Sequence, residues 1–169
     1  MQGYYKDPVT TAAVMTKDGF LRTGDQGEID AQGFLTITGR IKDQFKTEKA
    51  KFIAPAPIEL KLSCDVNIDQ VCVVGTGLAQ PIALVTLSAE AREKSQQLLQ
   101  AEIEEAIRNT NKTLEKYEHI QAVVVLQENW SIENGLMTPS LKIKRNAVEK
   151  RFHSKYHDWV SRDEVVVWE

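Results

Sequence analysis

Val71-Cys72-Val73-Val74, followed by the turn residues Gly75-Thr76-Gly77 and Pro81 and then by Ile82-Ala83-Leu84-Val85-Thr86-Leu87, decide the fold. Two short apolar runs bounded by glycine and proline read as paired central strands. Gly75-Thr76-Gly77 follows a strand, as a dinucleotide-binding fingerprint would. Its third glycine position holds Gln80, however, and Pro81 and a second apolar run follow where that motif needs a helix. The segment is therefore a hairpin turn. Downstream, Ala122-Val123-Val124-Val125-Leu126 is a third buried strand. Between them, from Glu90 to about Glu118, Leu99, Ile103, Ala106, Ile107, Thr110, Leu114 and Tyr117 recur at helical spacing, with a break or kink expected at Asn109-Thr110-Asn111. Ser131 to Ser140 reads as a loop, a last helix is expected from about Leu141 to Tyr156, and a polar tail ends in Val165-Val166-Val167-Trp168.

Upstream of the central strands, Pro55 and Pro57 open a helix at a position where proline sacrifices no intrahelical bond, with Ile58, Leu60 and Leu62 available for its buried side. Residues 39–54 set Ile41, Phe45, Phe52 and Ile53 among Lys42, Lys46, Lys49 and Lys51, the pattern of a hairpin with a basic loop. The order of elements predicts an α+β domain: a small three-stranded sheet with a hairpin and flanking helices. Residues 1–38 differ. Turn signals at Lys17-Asp18-Gly19, Thr23-Gly24-Asp25 and Ala31-Gln32-Gly33 separate strand-like runs at Ala12 to Met15 and Phe34 to Thr38. That reads as a β-meander with little core of its own, the edge of something larger.

The chain has 169 residues, 42% hydrophobic and 27% charged, with a net charge of −3. This composition supports a folded core and argues against a general nucleic-acid binder, which would be basic. No run of about eighteen apolar residues and no signal-peptide pattern occurs, so a cytoplasmic protein is expected, with contact at the inner membrane face as a variant of that expectation. Cys64 and Cys72 are expected as buried small hydrophobes. His119, His153 and His157 lack metal-ligand spacing, and no metal site is expected on the chain. Gly19 and Gly24 have the spacing of a phosphate-binding loop, but Asp25 stands where that loop needs a lysine, and an acid there would repel phosphate. No nucleophile-elbow pattern is present.

Three stretches carry a resemblance. Gly3-Tyr4-Tyr5-Lys6-Asp7-Pro8 with Phe20-Leu21-Arg22-Thr23-Gly24-Asp25 resembles a core motif of the adenylate-forming superfamily, which comprises acyl-CoA synthetases, luciferase and peptide-synthetase adenylation domains. Gly39-Arg40-Ile41-Lys42-Asp43, Phe45-Lys46 and Ala54-Pro55-Ala56-Pro57-Ile58-Glu59 resemble its hinge and hairpin motif. Leu136-Met137-Thr138-Pro139-Ser140-Leu141-Lys142-Ile143-Lys144-Arg145 resembles its C-terminal lysine motif, in a form most like the long-chain fatty acyl-CoA ligase branch.

The resemblance implies a β-rich remnant of a large adenylation domain at 1–38, a hinge at 39–43 and a mobile lid at 44–169. It implies that Asp25 accepts hydrogen bonds from the ATP ribose, that Arg40 helps hold that ribose, and that the Lys42 backbone is the hinge. Lys142 is the implied catalytic residue, an ammonium that stabilises charge on the phosphoryl oxygens while a fatty-acid carboxylate attacks ATP. In a second state Lys46, Lys49 and Lys51 would face coenzyme A, although a merely soluble hairpin explains these lysines equally well. Ala50 departs from the family pattern, which usually has glycine in this loop. Roles for Lys144 and Arg145 as solvated neighbours, as phosphate contacts or as contacts to another domain stay open.

ATP or AMP and CoA are the implied substrates, with Mg2+ in the complete enzyme and none of these expected on this chain alone. The phosphate loop, the adenine-holding motif, the magnesium-binding glutamate and the acyl pocket belong to the implied large domain, so these residues alone are expected to be inactive. Residues 1–38, without that partner, are expected to pair with a second copy through exposed strand edges or to be disordered. Two other readings stay open: a non-enzymatic binding or regulatory module, and the lid of another adenylate-former such as an aryl-CoA ligase or peptide-synthetase domain.

Overall fold

The computed structural model describes all 169 residues, which divide into two units, Met1–Lys42 and Asp43–Glu169. In the first unit helix α1 (Pro8–Val14) starts at Asp7, whose carboxylate accepts the Thr10 N–H at 2.9 Å. Strands β1 (Asp25–Ile29) and β2 (Leu35–Arg40) then form an antiparallel hairpin, with Asp30 accepting the Gln32 and Phe34 amides across the turn. The expected strand at Phe34 to Thr38 is present as β2, but Ala12 to Met15 is not a strand. Ala12 to Val14 close α1 and only Met15 makes an isolated bridge, to Leu21. Asp7 and Pro8, an N-cap and a first-turn proline, override the apolar run that follows. No residue of 1–42 is buried.

The second unit has a true core. A two-stranded hairpin, β3 (Phe45–Lys46) with β4 (Phe52–Ile53), leads into helix α2 (Pro55–Leu62). Ile58 and Leu62 of α2 are buried, while Leu60 points outward at 69% exposure. Strands β5 (Ile68–Val74) and β6 (Ile82–Leu87) pair antiparallel across the Gly75–Pro81 turn. Helices α3 (Ala89–Arg92) and α4 (Gln96–Asn111) follow where one long helix was expected. Ser88 and Ser95 each cap a separate start, accepting the Ala91 and Leu98 amides, and α4 ends at Asn111, at the break expected over Asn109-Thr110-Asn111 and short of Glu118. Strand β7 (Val123–Leu126) lies parallel to β6, as it must after a helical crossover.

Helix α5 (Arg145–Phe152) begins later than expected, and a 3-10 turn at His153–Lys155 separates it from α6 (Tyr156–Ser161). The tail is not free: Val166–Trp168 forms β8, parallel to β7. The sheet is thus four-stranded, β5-β6-β7-β8, one strand more than expected within the same α+β class.

Side-chain alternation along these strands builds two separate cores. Val71, Val73, Ala83, Val85, Val123 and Val125 face one way, against α2, α4 and the β3–β4 hairpin through Ile58, Ile103, Phe45 and Ile53. Cys72, Val74, Leu84, Val124 and Val167 face the other way, against Val148, Tyr156, Trp159 and the Leu136 loop. Burial on both faces explains why the central strands read as unbroken apolar runs. Cys72 is fully buried, as expected; Cys64, at the end of α2, is exposed.

Candidate functional site

The candidate residues fall into three groups. In the first unit the β1–β2 register sets Asp25 directly opposite Arg40. The Arg40 Nε donates to Asp25 Oδ1 at 3.0 Å, and both side chains keep solvent access. A carboxylate with a guanidinium beside it, at the open end of a hairpin, presents acceptors and donors together, as a vicinal diol requires. Gly24 turns the chain just before Asp25 with a φ of +77°, a conformation that glycine adopts freely, and its carbonyl accepts the Ile41 amide at 2.9 Å. Lys42 then lies in a 3-10 turn, Ile41–Asp43, with an exposed side chain, at the boundary between the two units.

The second group is the β3–β4 hairpin. Its strands are anchored by buried Phe45, Thr47 and Ile53, and its loop is pinned where the Glu48 amide donates to the Leu78 carbonyl at 2.9 Å. Gly75 permits this docking. A Cβ built there would lie 3.0 Å from the Phe45 ring and 3.0 Å from Pro81 Cα. Lys46, Lys49 and Lys51 all project into solvent. The Lys46 ammonium lies over its cross-strand partner Phe52, 5.7 Å from the ring centroid, and that of Lys51 over Tyr117 at 5.5 Å. Phe52, 65% exposed, was not singled out from sequence. The loop turns at Ala50 with a φ of +60°, so alanine here keeps the left-handed backbone that glycine would adopt without strain.

The third group surrounds Lys142, which is not in a helix. Residues 136–144 fold into a tight turn: Met137 bridges Ile143, the Lys144 amide donates to the Leu136 carbonyl at 2.8 Å, and Thr138 N–H donates to the Lys142 carbonyl at 2.8 Å. The Leu141 amide closes the turn onto Thr138 O, and the Lys142 amide donates to Thr138 Oγ1 at 3.0 Å. The turn is moored to the sheet by Gln70 of β5, whose Nε2 donates to Met137 Sδ at 3.3 Å and to the Trp130 carbonyl, and whose Oε1 accepts the Trp130 amide. A clamped backbone thus carries an exposed ammonium with no acidic partner in the structure. Leu141, just before it, has a φ of +58° and is 69% exposed, a combination that the sequence did not reveal. Arg145, left open from sequence, turns inward and pairs with Glu59.

The hairpin and the Lys142 turn therefore pack on different cores. The hairpin is built on the core of one sheet face, and the Lys142 turn, through Leu136, Met137 and Ile143, on the core of the other. No group of three or more His, Cys, Asp or Glu side chains converges in a metal-holding cluster. No helix is long and apolar enough to cross a membrane.

Residues 42–163 match the family described as AMP-binding enzyme C-terminal domain. The chain is 34% identical to a long-chain-fatty-acid–CoA ligase of Mycobacterium tuberculosis over 90% of its own length and 28% of that protein. It is 34% identical to human long-chain-fatty-acid–CoA ligase 1 over 95% of its length and 26% of that protein. Among solved structures, the adenylation domain of a carboxylate reductase from Mycobacterium chelonae matches 94% of the chain with a TM-score of 0.81 at 26% identity, and the chain covers 26% of it. The chain thus spans little more than a quarter of the proteins it resembles.

Proposed function

Because the chain belongs to the AMP-binding enzyme C-terminal domain family, we propose that it is the lid of an acid–thiol ligase that activates long-chain fatty acids in two half-reactions, each served by a different face of the lid. The observation that carries this reading is the placement of the Lys142 turn and the β3–β4 hairpin on opposite faces of one sheet. One rigid domain so built presents one set of lysines or the other to a single active site. Rotation about the Ile41–Asp43 backbone would exchange them, and only a few residues need absorb such a movement.

In the first half-reaction a fatty-acid carboxylate oxygen attacks the α-phosphorus of ATP and pyrophosphate leaves. The Lys142 ammonium, unpaired and held on a fixed backbone, stabilises the charge gathering on the phosphoryl oxygens. Asp25 and Arg40 hold the ribose. In the second, the CoA thiol attacks the acyl carbon and AMP leaves, with Lys46, Lys49 and Lys51 drawing in the CoA phosphates. The large adenylation domain is the partner this scheme needs. The exposed aromatic and aliphatic side chains of 1–42, among them Tyr5, Phe20, Phe34 and Ile37, fit a surface that packs against such a domain.

The long-chain fatty acid is proposed from the names of the curated relatives, which are more similar in sequence than the carboxylate reductase is. The structural likeness to that reductase favours a second reading, in which the lid serves another adenylate-former. Assay of a complete protein carrying these residues separates them. Palmitate, ATP and CoA should yield palmitoyl-CoA, AMP and pyrophosphate in equal amounts. Adenylation without any transfer to CoA would overturn the ligase reading. The 169 residues alone should release no pyrophosphate from ATP and palmitate, because a charge-stabilising group does nothing without bound substrates.

A further inference from the structure

Strand β5 is the edge of the four-stranded sheet, and side chains close its outer edge at Val73. Glu59 of α2 accepts the Val73 N–H through Oε1 at 2.7 Å. Arg145, the first residue of α5, donates Nη1 to the Val73 carbonyl at 2.6 Å and to Cys72 Sγ at 3.3 Å. Its Nη2 closes the circuit onto the same Glu59 oxygen. The two side chains keep only 17% and 18% of their exposure. Burial works against the Arg145 charge, and the carboxylates of Glu59 and Asp43 favour it. Burial pushes the Cys72 thiol up to about 12, so it stays a neutral neighbour.

Each end of this clamp belongs to a different functional face. Glu59 lies on the helix that follows the hairpin directly, whose Ile58 and Leu62 join the core that seats Phe45 and Ile53. Arg145 lies three positions after Lys142, beyond the Lys144–Leu136 hydrogen bond that ends the lysine turn. We propose that Arg145 and Glu59 are positioning residues: across the edge of β5 they join the Lys142 turn to the body that carries the hairpin, so that rotation of the lid delivers the lysine at a fixed place. This rests on the reading of Lys142 above. The hairpin has its own anchors in Phe45, Thr47 and Ile53, and the lysine turn keeps Leu136 and the Gln70–Met137 contact at its start, so release of the clamp should leave the hairpin in place and loosen the lysine at the Arg145 end of its turn.

The test uses a complete ligase carrying these residues and measures each half-reaction. Glu59→Gln and Arg145→Lys should slow acyl-adenylate formation by about tenfold to a hundredfold, the cost of misplacing a positioned group by up to an ångström. KM for ATP, and transfer from preformed acyl-adenylate to CoA, should stay near those of the parent. Equal losses in both half-reactions, or in neither, would overturn the proposal. Lys142→Ala run in parallel reports on the underlying reading: full adenylation there removes the role of the lysine, and the proposal with it. A measurement without variants covers failure to fold. In the unaltered 169-residue chain the Thr138 and Lys144 amides should exchange within about tenfold of Val73, as members of one cooperative unit. Exchange about a hundredfold faster than Val73 would show a lysine turn that the clamp does not hold.

Discussion

Ala50 carries the hairpin turn at a φ of +60°, its amide donating to the Thr47 carbonyl at 3.0 Å and its methyl group in solvent. An L-residue in this region is strained by about 1–2 kcal/mol, and glycine would relieve that at an entropic cost of about 0.5–1 kcal/mol. Ala50→Gly should therefore stabilise the chain by about 0.5–1 kcal/mol. The denaturant midpoint should rise with an unchanged slope, and a lower midpoint would contradict the strain. The departure from the family pattern at this position is thus tolerated by the fold. Lys142 is the opposite case: its backbone is fully engaged and its ammonium is free, as the role proposed for it requires. Sequence motifs pointed to Lys142, Asp25 and Arg40 because each stands in a recognisable string of neighbours. They left Arg145 undecided, because its partner Glu59 is 86 positions away and no local pattern connects them.

At the scale of elements, the end of β8 is fastened by one carboxylate, beyond its ladder to β7 and the burial of Val166 and Val167. Glu169 accepts the Trp159 indole N–H at 2.8 Å and pairs with Lys155, while its amide donates to Val125. The Lys155 hydrogen bond, with that of Trp159, holds the Glu169 carboxyl below the usual glutamate range. A carboxyl with a depressed folded pKa contributes stability that is present above its unfolded value, about 4.3, and lost as pH falls through the lower folded value. Acidification through that window should release β8, read as faster exchange of the Val167 amide. Glu169→Gln should remove this pH dependence, and its persistence in that variant would contradict the assignment. The strand itself was hidden in sequence, because Val165-Val166-Val167-Trp168 follows a polar stretch and its partner β7 lies some forty residues earlier. Strands β5 to β7 were legible, since burial on both faces leaves unbroken apolar runs. The split between α3 and α4 was written in Ser88 and Ser95 but masked by the helical periodicity that continues beyond them.

At the scale of the molecule, the two units differ in kind. Residues 43–169 enclose two cores, whereas 1–42 enclose none and leave Phe20 and Phe34 about 70% exposed. With both outer edges of the β1–β2 hairpin unpaired, the 169-residue chain should self-associate in size-exclusion chromatography, and residues 43–169 alone should elute as a monomer. Identical monomeric elution of both would count against edge pairing. One lid, on the proposed reading, serves two chemistries from two faces. The measurement that bears on it most directly is the comparison of half-reactions in a complete ligase with Lys142→Ala. Adenylation should fall by about a hundredfold or more, while transfer of a preformed acyl-adenylate to CoA continues at close to the parental rate. Adenylation at the parental rate, or an equal fall in both steps, would contradict the claim.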